Sequence, residues 1–362
     1  MTASPFAVAC APDWQAFVDC IRRRGTPARV HHYELFLDGE VQTAVAERYG
    51  LLAGLDANDP YYGWRRQIAI QRFLGYDYVT AGVDELRMVF NWNAAPDTAG
   101  LQRSGGRQYL DEHRGPITSW AELEAYSWPD VSQATTRSLE WLETNLPDDM
   151  CVIGGGFGHF CEHLTWLMGY ESLCLALYDD RALVQALADR ILQQSLAVAR
   201  LVVQFDRVKL MLGSDDMGFR SGTLIHPDDL RTFVLSGHRA VARIAHAAGR
   251  PYLLHSCGNL AAILEDLIED VKVDAKHSFE DTIEDVRQAK RAYGHRLSLL
   301  GGIDVDFLCR ATEAQIRQRV RDTLAVCQPG GGYALGTGNS VANYVPLDNY
   351  LAMLDEGRRF AG

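Results

Sequence analysis

No apolar run in this 362-residue chain approaches the ~20 residues that cross a bilayer. The opening Met1-Thr2-Ala3-Ser4-Pro5 lacks the basic start and apolar core of a secretion signal. A spanning helix is therefore excluded, and a cytoplasmic location is expected. Paired cysteines are missing too. Cys10, Cys20, Cys151, Cys161, Cys174, Cys257, Cys309 and Cys327 form no CxxC pair and no small-domain disulfide spacing, as suits a thiol-reduced protein. Positive charge is scarce: 35 Lys and Arg against 47 Asp and Glu leave a formal charge of -12. Nucleic acid and anionic membranes are poor partners for such a chain. The run Arg22-Arg23-Arg24 reads as a solvated helix face. The Gly-rich stretches 154–158 and 330–332 lack the Lys-Ser/Thr ending of a phosphate-binding loop and read as turns.

What is present is apolar residue in quantity, 47% of the chain, enough for one large α/β barrel or two ordinary domains. Short apolar runs ending in polar residues recur at 29–36, 76–82, 150–153, 208–213, 252–257, 273–280, 297–304 and 332–338. Between them lie segments of helical period, such as 40–53, 60–75, 182–203, 227–248, 260–269 and 313–326. Eight strands alternating with helices predict a (β/α)8 TIM barrel, whose active site lies at the C-terminal strand ends. A doubly wound open sheet is the fold alternative. The expected organisation is a single barrel domain over 1–362, with a helical extension at about 1–27. The stretch of about 83–148, containing a helix-like 119–126, breaks the alternation between strands 2 and 3 and is expected to wall or lid the pocket.

The most informative stretch is Tyr252-Leu253-Leu254-His255-Ser256-Cys257-Gly258-Asn259. On a strand, residues i and i+2 face the same side, so His255 and Cys257 offer an imidazole and a thiol together. That pairing suits zinc, which takes N and S ligands and lowers the pKa of what it binds. It is also what a strand end with a hydrogen-bonded His and an inert buried Cys looks like. Other polar residues gather at the same rim: Glu34, Asp215, Asp216, His277, Glu280, Asp304, Thr337 and Asn339. Asp304 reads equally as a helix cap and His277 as a satisfied interior histidine; converging titratable groups are nonetheless what an active site requires. His159-Phe160-Cys161-Glu162-His163 spells H-x-x-E-H, but it follows a Gly-rich strand end rather than sitting in a helical peptidase fold. Glu162 reaches toward the pocket from the first turn of that helix.

The ordered set comprises Arg29-Val30, Gly75-Tyr76-Asp77, Trp128-Pro129-Asp130, Leu167-Met168-Gly169-Tyr170-Glu171, His255-Ser256-Cys257-Gly258-Asn259, Gly301-Gly302-Ile303-Asp304, Gly331-Gly332-Tyr333 and Pro346-Leu347-Asp348-Asn349-Tyr350. Together these resemble the uroporphyrinogen decarboxylase superfamily over nearly the whole chain, in particular its methylcobamide:thiol methyltransferase-like branch. The resemblance implies a (β/α)8 barrel with its pocket at the strand C-termini. For the methyltransferase branch it implies zinc on a His-x-Cys pair, matched by His255 and Cys257, and a further Cys that would fall near Thr337. Thr is a poor zinc ligand; Asp304, Glu280, His277 and Cys327 are the substitutes in view. Without zinc, His255 is the candidate general acid or base, oriented by Asp304 or Glu280.

True decarboxylases carry an Arg-rich N-terminal motif for a polycarboxylated substrate. Here that strand reads Ala28-Arg29-Val30-His31-His32-Tyr33-Glu34, with a carboxylate where cations are expected. The expectation is thus a corrinoid-linked methyltransferase acting on a small molecule, with zinc and a cobamide as cofactors. His255, Asp304, Glu280 and Asp216 are its catalytic candidates, and His255 and Cys257 its metal ligands. Glu34, Glu162, His277, Tyr333, Thr337 and Asn339 are its candidates for substrate contact. No D-x-H-x-x-G corrinoid signature occurs, so a cobamide must arrive free or on a separate corrinoid protein. Barrels of this kind often pair, so a homodimer is expected. Porphyrinogen decarboxylation and a non-catalytic ligand-binding barrel are the alternatives.

Overall fold

Strands buried on both faces read as near-continuous apolar runs, and such runs seed the central sheet here. The computed structural model of the chain describes residues 4–103 and 105–360. Its strands are β1 (Tyr78–Ala81), β2 (Trp92–Ala95), β3 (Arg107–Leu110), β4 (Cys151–Phe157), β5 (Val208–Ser214), β6 (Gly218–Phe219), β7 (Gly222–Thr223), β8 (Tyr252–His255), β9 (Ala275–His277), β10 (Ser298–Leu300) and β11 (Tyr333–Ala334). Seven of these form one parallel sheet in the order β1-β4-β5-β8-β9-β10-β11, while β2–β3 and β6–β7 are antiparallel ribbons. The sheet order follows chain order without reversal. A doubly wound sheet would need a reversal point, so that alternative falls away. The fold is α/β and TIM-barrel-like, a curled parallel sheet with helices outside.

One expected strand did not form. Residues 29–36 contribute no ladder, only an isolated parallel bridge from His32 to Leu335, with a second just beyond them from Leu37 to Val341. Tyr33 N donates to Leu335 O at 2.8 Å, and Leu335 N donates to His31 O at 2.8 Å. On the β1 side the Tyr78 hydroxyl accepts from Glu34 N at 3.0 Å and donates to Glu34 O at 2.9 Å. A phenol thus occupies the place of ladder bonds. Both edges of the sheet therefore meet at segment 31–34, through backbone on one side and a side chain on the other.

The helices Gly39–Tyr49, Tyr62–Leu74, Arg181–Val202 and Glu313–Cys327 lie close to the expected spans. The last starts with a capping box between Thr312 and Gln315. The single regular helix expected over 227–248 is instead a turn at Pro227–Asp229, a π-helical stretch Leu230–Leu235 and the helix Ser236–Ala247. The wider π turn re-aims the residues after it. It seats Gly237 against the Phe160 ring and turns His238 inward, where its Nε2 lies 2.8 Å from Asp215 Oδ2. The segment expected as a helix at 260–269 likewise becomes π-helical over Asp266–Val271.

Between β1 and β4 the chain makes an excursion from Asp84 to Thr135, which are joined by two backbone hydrogen bonds, before the helix Arg137–Asn145 leads into β4. The β2–β3 ribbon and the helix Trp120–Ala125 lie in that excursion. The helix Trp14–Ile21 packs under the strand starts, where Cys20 O accepts from Gly332 N and Ile21 O from the Ser298 hydroxyl. Among the described residues no helix is long and apolar enough to cross a membrane.

The Tyr78 hydroxyl serves a buried backbone N–H and a buried C=O at once. Tyr78→Phe should cost roughly 2–4 kcal/mol, because both groups lose a partner with no water to replace it. The urea midpoint should fall with an unchanged m-value; an unchanged midpoint would rule out this account of the closure.

Candidate active site

Register decides which side chains meet. Ser214, His255 and His277 are direct neighbours across β5, β8 and β9. The pairing continues past the strand ends, with Asp215 N donating to His255 O and Ser256 N to His277 O. Two residues beyond Ser214 and His255 stand Asp216 and Cys257, on the face that His255 occupies. Cys257 N donates to Asp216 Oδ1 at 2.8 Å. His255 Nε2 lies 3.4 Å from Asp216 Oδ1 and 3.5 Å from Cys257 Sγ. Potential ligand atoms of Asp216, His255 and Cys257 all lie within 4.8 Å of one another.

Asp215 and Asp216 have opposite tasks. Asp215 is fully buried and accepts from Cys161 N and Glu162 N at 2.9 and 2.8 Å, holding the start of the helix Phe160–Met168. His238 joins it, bonded in turn to the Tyr252 hydroxyl at 2.9 Å. Asp216 faces the site. Burial works against its charge, but His255 and the Cys257 amide hold its carboxyl down at about 2, so it is ionised.

The His255 ring is set by a relay. Its Nδ1 lies 2.7 Å from His277 Nδ1, and His277 Nε2 lies 3.3 Å from Thr337 O. A carbonyl only accepts, so His277 Nε2 carries a proton. Burial, followed by the charge of His255, pushes His277 well below the usual imidazole range, so it is neutral and its Nδ1 accepts from His255 Nδ1–H. His255 Nε2 is thereby turned toward Asp216 and Cys257. A carboxylate oxygen, a sulfur and an imidazole nitrogen thus converge on one point, a donor set of the kind that holds a metal ion. Gly301 makes room for this relay. A Cβ at Gly301, where φ is +78°, would sit 2.1 Å from Thr337 O and 2.9 Å from His277 Nε2.

Burial, then the Asp216 charge, raises the Cys257 thiol far above its ordinary value. Asn339 Nδ2 donates to Cys257 Sγ at 3.1 Å, a contact that favours negative sulfur. Asn339 and Glu280 also line a cavity of about 1100 Å³, shared with Asp281, Asp304 and Asp306. Its Arg310 is paired with Asp306, so the wall is strongly acidic. Burial and Asp304 together raise the Glu280 carboxyl.

Of the residues singled out in the sequence, Asp216, His255, Cys257, His277 and Asn339 come together, with Glu280 and Asp304 on the adjoining wall. Asp304 also caps the helix Val305–Arg310 through Phe307 N and accepts from Asp281 N. Glu162 turns to His159 Nδ1 at 2.7 Å; burial lifts its carboxyl to about 7 against the pull of that imidazole. Four candidates, Tyr333, Thr337, Glu34 and Cys327, lie in the interior instead. Tyr333 is fully buried, its hydroxyl donating to Gly301 O at 2.9 Å. Thr337 donates from its amide and hydroxyl to Glu34, at 2.7 and 2.5 Å, which turns that hydroxyl away from Cys257. Cys327 is buried against Val286 O. The sequence reading missed Asn339 as a partner of the sulfur and Asp216 as the third potential ligand. The second carried a signal, since Asp216 stands two residues past a strand end as Cys257 does.

Residues 78–360 match the sequence model of the Uroporphyrinogen decarboxylase (URO-D) family, and the chain belongs to that family. Among solved structures it is similar to a methyltransferase from Methanosarcina mazei, with a TM-score of 0.68 and 18% identity over 97% of this chain and 100% of that one. A rutinosidase from Aspergillus niger gives a TM-score of 0.40 at 12% identity, covering 93% of this chain and 98% of that one. No curated protein matches the chain.

Burial lifts the Glu34 carboxyl to about 8, against two hydrogen bonds from Thr337 that lower it. Its folded value exceeds its unfolded one, so the fold binds the extra proton, and stability falls as pH rises from about 4.5 to about 8. Glu34→Gln keeps both partners and cannot ionise. It should match the wild type near pH 5 and surpass it at pH 8 in urea unfolding. Parallel curves for the two proteins would show that Glu34 does not titrate in this way.

Proposed function

We propose that this chain is a corrinoid-linked methyltransferase, moving a methyl group between a methyl-cobamide and a thiol or another small acceptor. The observation that carries this reading is the convergence of Asp216, His255 and Cys257 beside a cavity. One N, one S and one O donor suit catalytic zinc, which takes three protein ligands and keeps its fourth position for water or substrate. The group fits on physical grounds as well. Asp216 is ionised, and His255 directs Nε2 to the common point. Burial and the Asp216 carboxylate work against ionisation of the Cys257 thiol, and a bound metal ion would offset both. The neighbour titled a methyltransferase from Methanosarcina mazei names the same class of reaction.

Bound there, zinc would supply a Lewis acid that turns an entering thiol into a thiolate at neutral pH. The chain's residues do the rest. His277 fixes the His255 ring, Asn339 donates to the Cys257 sulfur, and Asp215 anchors the turn that presents Asp216. Glu280 and Asp304 form the wall along which the acceptor lies. The cobamide arrives free or on a separate corrinoid protein. We take segment 31–34, which joins the two edges of the sheet without forming a ladder, as what closes the (β/α)8-like barrel, and the excursion from Asp84 to Thr135 as a wall of its mouth. Decarboxylation of a polyanionic porphyrinogen ranks second, because the carboxylates of Glu280, Asp281, Asp304 and Asp306 would repel it.

Purified protein should carry zinc at one equivalent, measured by elemental analysis after dialysis. Cys257→Ala and Asp216→Asn should lose it, and His277→Phe should bind it about 10–100-fold more weakly. Methyl transfer from methylcobalamin to a small thiol, followed by the visible spectrum of the cobamide, should fall with zinc content. A metal-free protein that releases carbon dioxide from a porphyrinogen would overturn the reading.

A further inference from the structure

Several accessible rings of this chain carry one of its own arginines over the π-face. Arg65 lies over Trp141 at 5.1 Å, Arg190 over Trp128 at 5.6 Å and Arg107 over Tyr344 at 5.7 Å. Four rings around a second cavity, of about 390 Å³, do not: Tyr109, Trp166, Tyr170 and Phe219. Among the described residues none of the four has a cation over it, and no two of them stack on each other. Their faces are left for an occupant.

The cavity is bounded by β3, the helix Phe160–Met168 and β6. It shares no residue with the Asp216–His255–Cys257 group or with the acidic cavity beside that group. Its aromatic wall is nonetheless built on the neighbouring strand end. Asn259 N donates to Phe219 O at 2.8 Å, and a Cβ at Gly218 would sit 2.9 Å from Cys257 O.

The lining can be reached. Each of its residues is half-buried or exposed, and Tyr109 and Phe219 are 55% and 65% exposed. Its hydroxyls are committed elsewhere: Tyr170 donates to Leu224 O at 2.6 Å and Thr165 to Glu162 O at 2.9 Å. Those two residues therefore offer ring and methyl surface.

Charge then selects the occupant. The only charged side chains of the lining are the carboxylates of Asp111 and Glu112. The amides of His113 and Arg114 donate to Asp111 and hold its carboxyl below the usual range, so it is ionised. Glu112 is exposed and forms no ion pair among the described residues. An anion is repelled here, and a neutral apolar molecule gains nothing from the carboxylates. A metal ion finds no cluster of three ligands, since the one among the described residues is at Cys257. A methylated ammonium uses both features. Its charge is spread over methyl groups that pack on Leu110 and Leu224 and are drawn to the negative face of an aromatic ring.

We propose that this cavity binds a small methylated ammonium compound, its N-methyl groups against the four rings and its charge balanced by Asp111 and Glu112. The assignment does not rest on the methyltransferase reading and does not need zinc.

Choline and 3,3-dimethyl-1-butanol have the same shape and differ in charge, so together they separate recognition of a cation from plain apolar burial. Ligand-observed NMR on the full chain follows the single methyl resonance of either compound. Choline should bind saturably, and the alcohol at least about tenfold more weakly. Phe219→Leu and Tyr109→Leu keep apolar surface but remove a π-face, and each should weaken choline about threefold to tenfold. Both positions are exposed, so neither variant should melt at a lower temperature than the wild type. Glu112→Gln should weaken choline and leave the alcohol unchanged. Equal affinity for the two compounds, no saturable binding of choline, or wild-type affinity in all three variants overturns the proposal.

Discussion

The candidate site depends on one constraint, the backbone register that sets Ser214, His255 and His277 side by side. Strand side chains alternate, so a slip of one residue in either ladder would turn His255 or His277 to the other face. The ladder bonds run past the formal strand ends, from Asp215 to His255 and from Ser256 to His277. Asp216 and Cys257 therefore inherit their positions from the sheet, not from flexible loops. Asp215 and His238 secure the same strand ends from the helical layer, through a buried bond that the π-helical stretch makes possible.

Charge organises what register assembles. An ionised Asp216, a buried thiol and an imidazole nitrogen meet at one point, and the adjoining wall is acidic. Such a place holds a proton or a metal cation far more readily than a polycarboxylate. The neutral His277 and the Thr337 carbonyl complete the setting by fixing which His255 nitrogen faces inward. Polar interior groups therefore align the site, while the cavity residues define what enters it.

Much of this was legible in the chain itself. The order of apolar runs gave the strands and their succession, and the His-Ser-Cys spacing placed two donors on one face. The spelling put Asp216 among the catalytic candidates and Asp215 only at the rim, but the interior anchoring role of Asp215 rests on where the turn points each side chain. It also placed Tyr333 and Thr337 at the pocket, since any polar residue near a strand end looks available until its partner is known. Both are committed to interior bonds, to Gly301 O and to Glu34. The first strand failed as a prediction for a related reason. Its apolar pattern is real, but the Tyr78 hydroxyl takes the backbone bonds that a β1 ladder would need.

Sequence alone determined the α/β alternation and the pairing of His255 with Cys257, both of which follow from local periodicity. Only the tertiary structure decided the third donor, the direction of the His255 nitrogen and the existence of the second cavity. The first two rest on side chains 22 to 82 positions apart, as with His255 and His277 or Cys257 and Asn339. Such meetings are set by how the sheet curls and the helices seat on it, which no short window of residues encodes.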